Sequence, residues 1–235
     1  MTFYLDSAER REIETAAQWS FIAGFTTNPL LMARTLKAEG KTPEAYPEKL
    51  RELGEVFASL LDSRPETPGR IESALDFMVQ PLGETPEAIV EEASQLRRIF
   101  PRGLVLKIPF GAVGLAAAPL LKKENFRLAY TAVFSPLQAL IAAQNQADFV
   151  IPFCHRSEQA GIDGVEMAAR IAGLFQLRGI ECPLLAASVK SQAEVLGLLE
   201  AGIGSLTLPY ALYREILEHP LSRETLEQFS RALRA

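Results

Sequence analysis

The sequence predicts an α/β fold, in the form of an eight-stranded (β/α)8 TIM barrel. Short apolar runs alternate eight times with longer segments of helical periodicity, which is the pattern of parallel βα units. The runs are apolar on both faces, as strands are when helices cover a parallel sheet. The chain has 235 residues, a length that a closed barrel uses as one unit. An open, doubly wound parallel sheet is the alternative, because the same units build it.

The segments between the apolar runs have the signals of amphipathic helices. They carry Ser, Thr or Asp near the start, apolar residues three and four positions apart, and often Gly at the exit. Examples are "SAERREIETAAQW", "TPEAIVEEASQLRRIF" and "DGVEMAARIAGLFQLRG". The eight predicted strands span residues 3–6, 21–27, 75–80, 104–110, 126–133, 148–153, 183–188 and 205–209.

One stretch interrupts this alternation, at about residues 37–70. The Pro-containing strings "KTPEAYP" and "DSRPETPGR" flank the helical string "EKLRELGEVFASLL". This stretch is too short for a second domain. We therefore predict a single barrel domain over residues 1–235, with a long excursion between the second and third strands and a C-terminal helix.

Composition excludes several classes of protein. The formal net charge is −5, from 29 acidic and 24 basic side chains, and no basic block stands out, which argues against nucleic acid as a partner. The opening "MTFYLDSAERREIE" lacks the features of a signal peptide, and no apolar run reaches the roughly 18 residues of a membrane span. Cys154 and Cys182 match no metal-binding spacing, so we expect reduced thiols and a cytoplasmic location.

The barrel prediction directs attention to the ends of the strands, because chemistry in this fold takes place at the carboxyl face. Polar side chains stand at seven of the eight predicted strand ends, where they would converge on one small cup. In strand order they are Asp6; Thr26, Thr27 and Asn28; Asp76 and Gln80; Lys107; Thr131; Arg156; and Ser188 with Lys190.

Most of these residues also have an ordinary structural explanation. Asp6 precedes a serine and is suited to capping the first helix, and Asn28 with the following proline is a common helix start. Arg156 and Lys190 would usually be solvated loop charges. His155 is expected to be a loop residue rather than a base, because no second histidine or nearby carboxylate pairs with it in sequence.

Lys107 differs from the other candidates because it lies within the apolar string "LVLKIPFG". Burying an ammonium without a partner is costly, and loss of the proton relieves that cost. A neutral amine in a dry cavity is a nucleophile toward carbonyl carbons. From the residues alone, catalysis and a structural ion pair with Asp6 or Asp76 both remain open.

The order of seven strings identifies a family resemblance. "FYLDS", "AGFTTNPLL", "LVLKIPF", "AYTAVFSPLQALIAA", "ADFVIPFCHR", "PLLAASVKS" and "AGIGSLTLP" together resemble the transaldolase family, and most closely its small members, which include fructose-6-phosphate aldolases. The resemblance runs from Phe3 to the end and is weakest over residues 37–70. It implies a barrel of class I aldolase type, no metal or other cofactor, a Schiff base on Lys107, sugar-phosphate substrates, and a homo-oligomer, either a pentamer or a decamer.

The resemblance also implies roles for six other side chains. It implies that the Asp6 carboxylate transfers protons and that the Thr131 hydroxyl holds the catalytic water. It also implies that Thr26 and Asn28 line the site. Arg156 and Ser188 are implied to bind the substrate phosphate. The phosphate roles agree with the affinity of guanidinium for phosphate and with the usual phosphate site of barrels.

Two positions separate the transaldolases from the aldolases of this family. The third strand supplies a water-positioning Glu in transaldolases and Gln in the aldolases; counting back from "ETPEA" favours Asp76 over Gln80 for this position. The sixth strand ends in Phe153, where aldolase-type members carry tyrosine. An acidic third-strand residue together with phenylalanine is the transaldolase pattern.

The sequence therefore predicts a transaldolase. Such an enzyme moves a dihydroxyacetone unit from sedoheptulose 7-phosphate or fructose 6-phosphate to glyceraldehyde 3-phosphate or erythrose 4-phosphate, as a step of carbohydrate metabolism. The enzymatic alternative is a fructose-6-phosphate aldolase that releases free dihydroxyacetone. The alternative outside catalysis is a silent barrel that binds sugar phosphates.

Overall fold

The computed structural model describes residues 1–63 and 75–233. Eight strands alternate with helices in this part of the chain, and every pair of neighbouring strands runs parallel. The strands are β1 (Thr2–Asp6), β2 (Ile22–Thr26), β3 (Asp76–Val79), β4 (Leu104–Pro109), β5 (Arg127–Val133), β6 (Phe149–Pro152), β7 (Leu185–Ala186) and β8 (Ser205–Pro209).

The sheet closes on itself. Its hydrogen-bonded order is β6-β5-β4-β3-β2-β1-β8-β7, so β6 and β7 are the two ends. These ends also meet: the Val150 N–H donates to the Pro183 carbonyl at 3.0 Å, and the Ala187 N–H donates to the Pro152 carbonyl at 3.0 Å. The predicted (β/α)8 barrel is confirmed, and the open sheet is ruled out.

Four of the described helices begin at Ser, Thr or Asp residues of the kind that the sequence signals indicated. Thr85, Ser135, Asp163 and Ser191 each accept a hydrogen bond from a backbone N–H of the first turn, and Gly179 ends a helix with a φ of +62°. No described helix is both long and apolar enough to cross a membrane. The helices are α1 (Arg10–Ala16), α2 (Pro29–Ala38), α3 (Tyr46–Ser63), α4 (Pro86–Ile99), α5 (Ala112–Lys123), α6 (Pro136–Gln144), α7 (Cys154–Gln159), α8 (Gly164–Arg178), α9 (Gln192–Glu200), α10 (Tyr210–Leu217) and α11 (Pro220–Ala232).

The excursion between β2 and β3 is helical as far as it is described. It contains α2, a 3-10 turn at Pro43–Ala45 and α3, which packs against both α2 and α4. The rest of the predicted excursion, residues 64–70, lies outside the described residues.

Apolar side chains form two layers on either side of the barrel wall. The larger layer lies between the strands and the helices and contains residues such as Leu106, Ile108 and Phe77. The smaller layer fills the barrel interior. Because side chains alternate along a strand, Lys107 shares the inner face of β4 with Val105 of this interior layer.

Asp76 lies at the opposite end of the barrel from the predicted site. It is the first residue of β3, so the prediction that it stands near the strand's carboxyl end is wrong. Its carboxylate pairs with Arg127, the first residue of β5, at 2.5 Å and accepts a hydrogen bond from the Tyr4 hydroxyl at 3.1 Å. Gln80 shares the same face four residues later, about 13 Å further along the strand direction. Asp76 therefore belongs to a polar layer at the amino-terminal end.

We expect Asp76→Asn to lower stability without lowering turnover. The change leaves Arg127 without its charged partner; since the Asp76 side chain is 10% exposed and that of Arg127 is 43% exposed, the loss should be about 1–2 kcal/mol, between the values for surface and buried pairs. Urea unfolding measures the loss. Glu14→Gln, in the exposed Arg10 pair, is the control and should change little. Loss of turnover at unchanged stability would contradict this assignment.

Candidate active site

A cavity of about 460 Å³ opens at the carboxyl ends of the strands. Of the ten side chains predicted for the site, Thr26 lies buried beneath the cavity and Asp76 lies at the other end of the barrel. The other eight line the cavity: Asp6, Asn28, Gln80, Lys107, Thr131, Phe153, Arg156 and Ser188.

Lys107 is buried at the base of this cavity without an ionic partner. It is 2% exposed, and Nζ donates a hydrogen bond to the backbone carbonyl of Thr27 at 3.0 Å. Within the described residues it makes no ion pair. Burial lowers the pKa of the ammonium, and the negative charge of Asp6 opposes this shift. The amine is therefore more easily deprotonated than an ordinary lysine.

Lys49 shows what a structural buried lysine is like in the same chain. It is 1% exposed, and its Nζ lies 2.5 Å from Glu39 and 3.1 Å from Glu52. Two carboxylates thus compensate its burial, whereas Lys107 has one carbonyl. The structural explanation for Lys107 named Asp6 or Asp76 as its partner. Asp76 is bound to Arg127 instead, and Asp6 acts on Lys107 only through its field.

Asp6 ends β1 beside Lys107. One carboxylate oxygen accepts a hydrogen bond from the Thr26 hydroxyl at 2.9 Å, and that hydroxyl lies 2.7 Å from the hydroxyl of Thr207. Burial raises the pKa of the Asp6 carboxyl, while the Lys107 charge and the Thr26 hydrogen bond lower it. The residue at the start of α1 is Glu9, so the capping explanation for Asp6 is wrong.

A bulge in β5 places Thr131 in the cavity. Between the pairs Tyr130–Val150 and Val133–Pro152, β5 has one residue more than β6. Ala132 takes up this extra residue with a φ of +57°, which is strained for a residue other than glycine. The Thr131 hydroxyl is buried in the cavity wall and has no hydrogen-bond partner in the described chain. It can therefore hold a bound molecule.

Cations gather at one side of the cavity mouth. Arg156 lies in α7 with its guanidinium carbon 5.5 Å from the centre of the Phe153 ring, so the ring supports the arginine. Ser188 follows β7 with a φ of +59°, and Lys190 lines the cavity two residues later. Neither Arg156 nor Lys190 makes an ion pair with a described carboxylate. Such an arrangement binds anions such as phosphate.

Asn28 and Gln80 complete the wall on the other side. The Asn28 side-chain oxygen caps α2 by accepting the Leu31 N–H at 3.0 Å, so Asn28 both starts the helix and lines the cavity. Gln80, rather than Asp76, is the third-strand side chain at the cavity. The predicted transaldolase pattern combined an acidic third-strand residue with Phe153, and this wall has Gln80 in place of the acidic residue.

Three further basic residues line the cavity without a predicted site role: Lys190, His155 and Arg34. Lys190 is among the predicted strand-end residues, but Arg34 is not, and the prediction that His155 lies in a loop is wrong, because it belongs to α7. Arg34 follows Leu30 by four residues and Leu31 by three on α2, so helical spacing places all three on the face that lines the cavity. His155 forms a hydrogen bond with Glu194, which is 39 residues away in the sequence, so no local pattern indicates this contact.

Comparisons with known proteins agree with this geometry. The family described as Transaldolase/Fructose-6-phosphate aldolase matches residues 3–235. A "Probable transaldolase" of Clostridium perfringens is 33% identical over 229 residues, which cover 97% of this chain and 95% of the relative. A "Probable transaldolase" of Thermus thermophilus is 34% identical over 229 residues, which cover 97% and 96%.

Solved structures at low sequence identity share the barrel alone. A mandelate oxidase variant with 2-hydroxy-phenylacetamide has a TM-score of 0.56 at 11% identity, over 88% of this chain and 64% of that one. A flavocytochrome b2 variant with sulfite bound has a TM-score of 0.57 at 10% identity, over 91% and 57%. Fold, cavity and near full-length relatives agree: the chain belongs to the transaldolase/fructose-6-phosphate aldolase family and is an enzyme of the transaldolase/aldolase type.

Proposed function

We propose that this enzyme transfers a dihydroxyacetone unit between sugar phosphates through a Schiff base on Lys107. The observation that carries the proposal is a lysine amine buried at the base of the cavity with a backbone carbonyl, and no carboxylate, as its hydrogen-bond partner. A silent sugar-phosphate-binding barrel would have no need to keep this amine unpaired beside Asp6.

The first half of the reaction forms and uses the imine. The neutral Lys107 amine attacks the C2 carbonyl of fructose 6-phosphate or sedoheptulose 7-phosphate, and uptake of a proton with loss of water gives the protonated imine. The C4 hydroxyl then gives its proton to the Asp6 carboxylate while the C3–C4 bond breaks. An aldose phosphate leaves, and the electron pair of that bond remains on the lysine-bound dihydroxyacetone unit as an enamine.

The second half runs in the opposite direction with another aldehyde. The enamine carbon attacks the carbonyl of glyceraldehyde 3-phosphate or erythrose 4-phosphate, and Asp6 returns its proton to the new alkoxide. Water then releases the ketose phosphate from Lys107. The raised pKa of Asp6 supports this double role, since a group that takes and returns a proton works best with a pKa near the working pH. The unpartnered Thr131 hydroxyl is suited to hold the hydrolytic water.

Arg156 and Ser188 bind the substrate phosphate in this proposal, with Lys190 beside them. The phosphate is on the aldehyde-derived part of each substrate, so one anion site serves both donor and acceptor. We also propose, from the family resemblance, a homo-oligomer, a pentamer or decamer, and a cytoplasmic location.

Release of free dihydroxyacetone is the second candidate function, and one observation favours it. The family resemblance associates a third-strand Gln with the aldolases and Phe153 with the transaldolases, and this cavity combines Gln80 with Phe153. We favour transfer because a phenyl ring cannot orient or protonate the water that completes release, and because the relatives carry the name transaldolase.

Borohydride trapping tests the nucleophile. Reduction in the presence of fructose 6-phosphate should add one substrate-derived mass to the peptide that contains Lys107 and none to the peptide that contains Lys49. Lys107→Met should abolish both the adduct and turnover, because no amine remains in the cavity. An adduct that persists in Lys107→Met would contradict the mechanism.

Asp6→Asn should separate imine formation from bond cleavage. Removing the Asp6 charge removes the influence that raises the pKa of Lys107, so the amine stays neutral to lower pH. Trapping with free dihydroxyacetone should therefore persist to lower pH than in the wild type. Cleavage of fructose 6-phosphate should slow by about 10²–10⁴-fold, the usual contribution of a general acid–base group. A trapping profile that moved to higher pH would contradict the coupling.

Initial rates with and without erythrose 4-phosphate separate transfer from release. In the wild type the rate with acceptor should far exceed the rate without it. Phe153→Tyr, which keeps the ring under Arg156, should shift the ratio towards release, and Gln80→Glu should shift it towards transfer, because each exchanges one group near the hydrolytic water. Equal wild-type rates with and without acceptor would establish the aldolase instead.

A further inference from the structure

His155 lies where the segment after β6, which carries Arg156, meets the segment after β7, which carries Ser188. It follows β6 beside Arg156, and its side chain lines the cavity. Its backbone N–H donates to the carbonyl of Ser188 at 2.9 Å, which joins the end of β6 to the end of β7. The side chain is 32% exposed and therefore accessible from the cavity.

Glu194 fixes the orientation of the His155 ring. Its Oε1 lies 2.9 Å from Nδ1 of His155, and its Oε2 accepts the backbone N–H of Lys190 at 2.7 Å. Glu194 lies in the first turn of α9 and its side chain is 12% exposed. A carboxylate only accepts hydrogen bonds, so Nδ1 carries the hydrogen of this bond. Nε2 is then the ring nitrogen left for the cavity.

Four charged groups surround the ring. They are Glu194 on α9, Glu158 on α7, whose carboxylate lies 3.6 Å from Nδ1, Arg156 on α7 and Lys190 in the loop before α9. A dianion entering the cavity adds negative charge on the Nε2 side and favours the protonated ring.

We propose that His155, oriented by Glu194, is a further ligand of the substrate phosphate and binds it in the protonated form. This inference rests on the proposed function for its substrate class. The imidazolium donates a charge-assisted hydrogen bond from Nε2, whereas the neutral ring presents a lone pair there and repels the phosphate oxygen. Affinity should be greatest at low pH and should decline as the pH rises through the range in which histidine loses its proton.

Sulfate is the probe that tests this inference, because it stays a dianion across the range, whereas phosphate esters change charge near pH 6. Its affinity is measured by thermal-shift titration and by competitive inhibition, from about pH 5 to about pH 8. In the wild type we expect affinity to fall by about tenfold over this range, as for loss of one charged hydrogen bond.

Three variants isolate the contribution of His155. His155→Gln should bind sulfate more weakly at low pH and lose most of the pH dependence; any remainder belongs to Asp6, which also lines the cavity and has a raised pKa. Glu194→Gln keeps an acceptor for the Lys190 N–H but removes a charge, so the decline in affinity should move to lower pH. Arg156→Ala should weaken binding at every pH and keep the pH dependence.

The outcomes are distinguishable from failure of the proposed function. A pH dependence that is the same in His155→Gln as in the wild type would overturn the inference, and so would an equal loss of affinity at every pH, which is the result for a merely structural ring. His155→Asn is the second variant if His155→Gln unfolds. Trapping of dihydroxyacetone on Lys107 needs no phosphate, so its failure in the wild type would refute the proposed function and leave the sulfate result standing.

Discussion

The desolvation of a single ammonium group, that of Lys107, governs the organisation of this barrel. Its Nζ is buried at the base of the cavity. It donates a hydrogen bond to the backbone carbonyl of Thr27 and makes no ion pair with a described carboxylate. Asp6 lies near enough to oppose the fall in the lysine pKa, and burial in turn raises the pKa of Asp6. The pKa of each group is thus moved towards values at which it exchanges protons more easily, as is common for catalytic groups in active sites.

Two other buried charged side chains in the described chain, Lys49 and Asp76, form ion pairs. Lys49 has two carboxylate partners, and Asp76 is neutralised by Arg127 and by the Tyr4 hydroxyl. These pairs lie away from the cavity, one on the helical layer and one at the amino-terminal end of the barrel. Stability and chemistry are therefore placed at separate locations in the fold, as the general rule for these barrels describes.

The cavity has two chemically different sides. The side near Lys107 is buried and holds Asp6 and the unpartnered Thr131 hydroxyl, which suits bond making and breaking. The side after β6 and β7 carries Arg156 and Lys190, which make no ion pair with a described carboxylate, and Ser188, whose φ is +59°. Strained backbone of this kind persists where the surroundings impose it, and here it aims side chains into the cavity. Gln80 matches the residue that the family resemblance associates with the aldolases, whereas Phe153 matches the one associated with the transaldolases.

Local patterns in the sequence were enough to predict the barrel, its eight strands and several of the helix starts. Period-two and helical patterns are local, and so are capping residues such as Ser135 and Ser191. It also singled out Lys107, because a charge inside an apolar strand is visible without coordinates. Eight of the ten side chains predicted for the site do line the cavity, since all the carboxyl ends of a closed parallel barrel meet at one face.

Only the three-dimensional structure shows how far along the barrel axis each side chain lies and which residues it contacts. Asp76 and Gln80 lie in the same apolar run and on the same face, and only strand pairing shows that one opens the strand and the other follows its end. The bond between His155 and Glu194 joins residues 39 positions apart in sequence. No local pattern encodes such a contact, because it depends on β6 and β7 closing the barrel side by side.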